Sequence, residues 1–178
     1  MIEYNTIAST GNAVSFGSLT RGARAPGACS SSTRAVWAGG YAPGVTNVID
    51  YVTISSLGNA TSFGILTQSR YFLAGCSNSI RGLFGGGSTG PANTNTIDYI
   101  TIATTGNATS FGNLSGTGMS AHGAVSSPTR AVFGGNGSLG ANTIEYVTIS
   151  TTGSSINFGS LYQSRVGLAA CSNGHGGL

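Results

Sequence analysis

The chain has 178 residues, of which 30 are glycine, 39% are hydrophobic and only 6% are charged, with seven arginines, four acids and no lysine. That length carries one domain with a core, and the apolar share, arranged in regular runs, excludes a disordered linker. A net charge of +3 scattered along the chain is too small for an electrostatic nucleic-acid footprint.

The opening residues Met1-Ile2-Glu3-Tyr4 already belong to a repeat and have neither a basic nor an apolar leader character, so no cleaved secretory signal is expected. No apolar run approaches the roughly 20 residues of a membrane-spanning helix. Ile2-Glu3-Tyr4 returns as Ile49-Asp50-Tyr51, Ile97-Asp98-Tyr99 and Ile144-Glu145-Tyr146, at steps of 47, 48 and 47 residues. All four acids of the chain occupy this slot. Phe16, Phe63, Phe111 and Phe158 keep the same step.

Each unit reads in four parts. The first is a strand such as Val48 to Ile54, rich in β-branched and aromatic residues and apolar on both alternating faces, hence buried on both sides. A Gly-Asn turn leads to a short strand with one aromatic anchor, Ala108 to Leu114. A third strand, Gln68 to Ser77, carries small residues suited to crowding. A fourth, Ile80 to Gly87, ends in a diglycine and recurs as Thr33 to Gly40 and Thr129 to Gly135. Loops 41–47, 88–95 and 136–142 vary most. Four short strands in about 47 residues is the period of a β-propeller blade.

The arginine that opens a strand (Arg70, Arg165), the strand ending in Gly39-Gly40, Gly85-Gly86 or Gly134-Gly135, and the tyrosine strand beside an acid (Asp98-Tyr99) resemble kelch-like propellers over nearly the whole chain. The match departs from that family in two ways. Phenylalanine stands where tryptophan is usual near the end of the fourth strand, and the acid precedes the tyrosine. The wording of Gly58 to Gly64 and Ala74 to Ser79 also resembles repeat proteins of marine bacteriophages.

The expected fold is therefore all-β: one repeat domain over 1–178, a β-propeller of four-stranded antiparallel blades, with units of about 2–48, 49–96, 97–143 and an incomplete 144–178. The chain opens with a tyrosine and a phenylalanine strand, and closes on an arginine-to-cysteine strand, Arg165 to Ser172. Pairing of those ends would complete a fourth blade and close the ring. A larger ring completed by a second chain, or a piece of a longer array, remains the alternative.

Six of the seven arginines fall in or beside two repeated slots: Arg34, Arg81 and Arg130 in one, Arg70 and Arg165 in the other, with Arg24 one residue out of register and Arg21 extra. A guanidinium fork matches a carboxylate bidentately, so structural ion pairs are expected between these arginines and Glu3, Asp50, Asp98 and Glu145. The alternative is an arginine ring for an anionic sugar or phosphate; residues locked to a repeat more commonly serve stacking of the units.

Cys29, Cys76 and Cys171 share a slot that is Val125 in the third unit, the pattern of a small buried apolar position and not of a metal or redox site. Their odd number gives no disulfide framework. His122 and His175 are each unique to one unit, with no acid nearby in sequence. A Ser-His-Asp site assembled in space stays open, although abundant serine carries no information. The glycine runs lack the ending of a phosphate loop, and no cofactor is expected.

By subtraction the chain reads as a non-enzymatic structural or binding module. Its variable loops offer Tyr41, Asn47, Asn93, Asn95, Asn136 and Asn142 to a glycan or a protein surface. The phage resemblance implies a virion-associated or extracellular setting, with other virion proteins or a second copy as partners and neither nucleic acid nor membrane. A lectin-like protein of cellular origin with one sugar site per blade is the alternative, followed by a propeller lyase or hydrolase.

Overall fold

The computed structural model describes residues 1–116, 118–135 and 142–172. Their regular structure is entirely strand. Among the described residues no helix is long and apolar enough to cross a membrane. Strands β1 (Ile2–Tyr4) and β2 (Val14–Gly17) form a two-stranded sheet. Three antiparallel four-stranded meanders follow. The first holds β3 (Gly27–Ser30), β4 (Arg34–Ala38), β5 (Val48–Thr53) and β6 (Thr61–Ile65). The second holds β7 (Ala74–Ser77), β8 (Arg81–Gly85), β9 (Thr96–Thr101) and β10 (Thr109–Asn113). The third holds β11 (Gly123–Ser126), β12 (Arg130–Gly134), β13 (Thr143–Thr148) and β14 (Ile156–Ser160). Each sheet is one blade of a propeller-like repeat.

The tyrosine strands β5, β9 and β13 lie third in their sheets and bury residues on both faces, as their apolar patterns require. Opposite each of them the register slips at the phenylalanine: Ile97 faces Gly112 and Asp98 faces Ser110, which leaves Phe111 as the extra residue of a β-bulge. Phe16, Phe63 and Phe158 are skipped in the same way. The bulge turns each ring edge-on to the tyrosine of its unit, with centroids 5.7–6.0 Å apart.

The third expected strand, Gln68 to Ser77, is strand only from Ala74. Residues 66–73 instead form a linker from the outer strand of one blade to the inner strand of the next. Its extended path is broken at Phe72, whose φ is +55°. Arg70 thus stands in a linker and does not open a strand. Arg165, the matching residue of the next linker, lies in a segment without regular structure. Gly39 (φ +67°) and Gly86 (φ +62°) supply the left-handed exit from the diglycine strand, and a Cβ on either would collide with the carbonyl oxygen of Arg70 or Met119 in the next linker.

The blades are joined by backbone bonds at both ends. At the outer edge Gly58 N donates to Phe16 O and Ala60 N to Ser18 O; Gly106 and Ala108 repeat this on Phe63 and Ile65, and Gly153 and Ser155 on Phe111 and Asn113, all at 2.8–2.9 Å. At the axial end Phe72 N donates to Ala25 O, Ala121 N to Phe72 O and Gly167 N to Ala121 O, at 2.8–3.0 Å. Between inner strands, Ser77 Oγ donates to Ser30 O at 2.6 Å and Ser126 Oγ to Ser77 O at 2.7 Å.

The core fills the spaces between blades as two slabs. One packs Val36, Ile49, Phe63, Leu66, Phe84 and Ile102; the other packs Leu83, Ile97, Phe111, Leu114, Phe133 and Ile149. At a burial worth about 1.5–3 kcal/mol per large side chain, these slabs are the main adhesive of the stack.

The expected closure is not formed among the described residues. Strands β1 and β2 pair only with each other, and residues 161–172 form no strand. Phe158 is 56% exposed where its counterpart Phe111 is 3% exposed. Ile7 is fully exposed where Ile102 and Ile149 are buried. Among the described residues the faces carrying Ile7 and Phe158 are left uncovered.

Candidate functional site

The repeated acid proves to be a pin for the linkers. Asp98, fully buried in β9, accepts from Thr67 Oγ1 at 2.7 Å, Thr67 N at 3.2 Å and Arg70 Nη2 at 2.8 Å. The Arg70 guanidinium also donates to the carbonyls of Gly86 (2.8 Å), Thr96 (2.5 Å) and Phe84 (3.1 Å). Burial lowers the Arg70 pKa, and the adjacent Asp98 carboxylate offsets part of that shift.

The preceding blade reaches the same result from a different stem. Ala23 stands 47 residues before Arg70, but Arg21, two residues earlier, donates to the equivalent acceptors Gly39 O (3.3 Å), Val48 O (3.0 Å) and Asp50 (3.5 Å). Thr20 Oγ1 caps Asp50 at 2.8 Å. In sequence Arg21 lies outside the repeat, and only the reach of its side chain reveals its role.

The third blade has no such arginine. One extra residue in its linker places Met119 where Arg70 would be: Met119 O accepts from Gly87 N as Arg70 O does from Gly40 N. Buried Glu145 is held by Ser115 N (2.8 Å), Ser115 Oγ (2.5 Å) and Ser155 Oγ. Ser115 does for Glu145 what Thr67 does for Asp98, and Ser155 Oγ is the donor added in place of the cation.

The remaining expected ion-pair residues are not paired with acids among the described residues. Glu3 is exposed on β1, and Arg165 is exposed in its linker. Arg34, Arg81 and Arg130 instead lie over the rings of Tyr51, Tyr99 and Tyr146 at 4.6–4.8 Å. Arg34 Nη1 then reaches across to Ile102 O at 2.8 Å, and Arg81 Nη1 to Ile149 O at 2.9 Å. Arg34 and Arg81 thus join blades through an aromatic face and a carbonyl, while Arg130 stays on the tyrosine of its own blade.

Among the loop residues, Asn47, Asn95 and Asn142 direct their side-chain amides to the carbonyls of Leu66 (3.5 Å), Gly116 (3.2 Å) and Leu161 (2.8 Å), and so tie each loop to the following linker. Asn93 makes contacts of its own. Asn136 and His175 lie outside the described residues. Tyr41 bridges Arg24 through the backbone, with the Arg24 guanidinium 4.5 Å over its ring. Cys29 and Cys76 are buried, and burial pushes the Cys76 thiol up to about 12 and Cys29 further in the same direction, so both are inert at neutral pH. Cys171 is exposed. No cluster of three or more His, Cys, Asp or Glu able to hold a metal occurs among the described residues.

Two kinds of concavity remain. One recurs at the hairpin after every tyrosine strand. In the second blade Tyr99, Thr101, Thr104, Gly106 and Asn107 line a hollow of about 330 Å³. The equivalents around Tyr51, Tyr4 and Val147 enclose about 170, 110 and 290 Å³. One turn builds all four: Ser9, Ser56, Thr104 and Thr151 donate to Thr6, Thr53, Thr101 and Thr148 at 3.1–3.2 Å. These walls carry hydroxyls, joined in the first three hollows by a side-chain amide and an aromatic ring, with no charged group among the lining residues.

The other concavity, of about 310 Å³, lies at the axial end, where all four linkers meet, and is lined by Pro26, Phe72, Leu73, His122 and Leu168 among others. His122 is buried with neither ring nitrogen hydrogen-bonded, and its pKa is lowered to about 4, first by burial, then by Arg70, against an opposing pull from Glu145. The sequence showed His122 only as unique to one unit; its burial comes from the fold.

No protein-family model matches the chain, and no curated protein matches it in a sequence search.

Removing Arg70 strands a buried carboxylate, so Arg70→Ala is expected to cost roughly 3–5 kcal/mol in chemical denaturation. Arg81→Ala loses one carbonyl bond and one ring contact and should cost about 2 kcal/mol. Equal costs would break the assignment of Arg70 as the buried pin.

His122 gives a pH dependence with a definite sign. Its ordinary value of 6.5 falls to about 4 on folding. Above 6.5 the ring is neutral in both states and its contribution is complete. As pH falls from 6.5 towards 4 the unfolded chain takes up a proton that the fold excludes, and stability drops by about 3 kcal/mol. His122→Leu, which installs the residue of Leu73 and Leu168, should abolish that component in unfolding curves at pH 7 and pH 4.5. An unchanged pH slope would refute it.

Proposed function

We propose that this chain is a non-enzymatic binding module, a repeat scaffold that presents one shallow polar pocket per unit to a neutral glycan or a protein surface. The observation that carries this reading is the recurrence of the hairpin pocket in all four units, lined by Thr and Gly in each and by Tyr and Asn in the first three. A hydroxyl-rich wall beside an aromatic face suits the alternating polar and C–H surfaces of a sugar. Three of the four acids are buried as linker pins, which leaves them unsuited to acid–base work in an open cleft. A kelch-like propeller of a virion (tail fibre, capsid decoration or host-attachment domain) is the setting that the repeat wording supports, with a cellular lectin as the second reading.

Titration with a panel of neutral oligosaccharides should approach one bound sugar per unit. Thr101→Val, which keeps a β-branched strand residue and removes one pocket hydroxyl, should remove one equivalent of binding without changing Tm. Failure of the chain to bind any glycan or any virion protein would sink the reading.

The finer architecture is a four-bladed ring closed within the chain. Its support is the complementarity of the end faces. The amides of Gly11 and Ala13 stand in the places of Gly58 and Ala60, and the carbonyls of Phe158 and Ser160 in the places of Phe111 and Asn113. Closure within one chain gives a monomeric mass in light scattering at all concentrations; a dimer or larger ring contradicts it.

A further inference from the structure

The linkers that meet at the axial end occupy equivalent positions but do not carry equivalent residues. Ala25, Phe72, Ala121 and Gly167 share the left-handed backbone, with φ of +53°, +55°, +50° and +68°. One of the four is the glycine that this conformation favours and two are alanines, which add only a Cβ. The fourth is a phenylalanine, 47% exposed. A bulky residue held there against its preference, with its ring in solvent, is a local strain that packing does not explain.

Phe72 also ends a contiguous row. Its ring lies 4.9 Å from Tyr71, Tyr71 lies 5.7 Å from Tyr41, and the Arg24 guanidinium stands 4.5 Å over Tyr41. Arg24 is exposed and has no carboxylate partner among the described residues. On its other side Phe72 forms a wall of the axial hollow, together with Pro26, Leu73 and Leu168.

We propose that this axial face binds acidic oligosaccharides, with sugar rings stacked on Phe72 and Tyr71 and an anionic sugar group on Arg24. The aromatic row supplies flat apolar faces at low conformational cost. Arg24, fixed over Tyr41, presents its planar fork to a carboxylate or sulfate. Charge selects the class of sugar. Asp50, Asp98 and Glu145 are buried and bonded, so the exposed charged side chains among the described residues are Arg24, Arg130, Arg165 and Glu3, with Arg34 and Arg81 half-buried, and Glu3 lies on β1. A neutral sugar would leave Arg24 unused; an anion uses it. This site is separate from the hairpin pockets and breaks the repeat, so it takes one ligand per chain.

The test is calorimetric titration of the full chain with a carboxylated probe (oligogalacturonate), a sulfated probe (sulfated galacto-oligosaccharide) and a neutral galacto-oligosaccharide of the same length. One acidic ligand per chain is expected, weakened as salt rises. Phe72→Ala and Arg24→Gln should each weaken it about 10-fold or more. Phe72→Ala is a clean variant because Ala25 and Ala121 already hold the same backbone conformation, so Tm should hold or rise. Preference for one acidic probe identifies the anionic group, and either preference supports the site. Acidic binding unmoved by both variants overturns the proposal, as does equal binding of the neutral probe at this site. Neutral binding at the hairpin pockets with no acidic binding overturns this proposal alone, whereas binding of no sugar at all removes the glycan reading of the pockets as well.

Discussion

Everything in this structure depends on one crossing. The chain must leave the outer strand of one blade and reach the inner strand of the next, and the linker that does so has to be held over the end of a sheet. Backbone bonds fix it at its origin, through Gly106 and Ala108 on Phe63 and Ile65, and at its end, through Phe72 on Ala25. Between them a buried carboxylate grips its middle. A carboxylate can be buried only if it is fully bonded, so each acid demands a hydroxyl and a cation or their equivalent from the linker. The linker path, the spacing of the blades and the apolar slabs between them all follow from satisfying that demand.

The three buried acids satisfy it differently. Asp98 takes a repeat-locked arginine, Asp50 takes an arginine from two residues upstream, and Glu145 takes serines. The acceptor geometry is kept while the donor changes. That pattern places the constraint in the acid and the linker backbone, not in any particular arginine. The third interface carries the consequence: a neutral, unpartnered His122 lies in a pocket whose neighbouring slot has lost its cation to Met119.

Symmetry separates structure from chemistry. What recurs faithfully (acid, tyrosine, bulged phenylalanine, diglycine exit) joins the blades or shapes the rim pockets. What breaks the repeat gathers at one place. Arg24, Tyr41, Tyr71, Phe72 and His122 come from one loop and three linkers, yet the convergence of the linkers sets Phe72 and His122 on one hollow and extends an aromatic row from Phe72 to Arg24. A repeated pocket favours many weak contacts to an extended ligand; an asymmetric one favours a single oriented ligand.

The amino-acid sequence by itself determined the strands and their grouping in fours. Hydrophobic alternation and glycine punctuation act locally, and a 47-residue step makes the grouping visible. It also marked the acids as repeat-locked, and it singled out Tyr41 and His122. The partners were decided only by tertiary structure. Arg21 reaches Asp50 across 29 residues, Arg34 reaches Ile102 across 68, and neither reach is written in a spacing. The linker was read as strand because its composition suits one; the left-handed backbone at Phe72 ended it, and that conformation is set by the bond to Ala25 in the neighbouring unit. Local periodicity encodes elements, whereas burial and side-chain reach exist only once the blades are stacked.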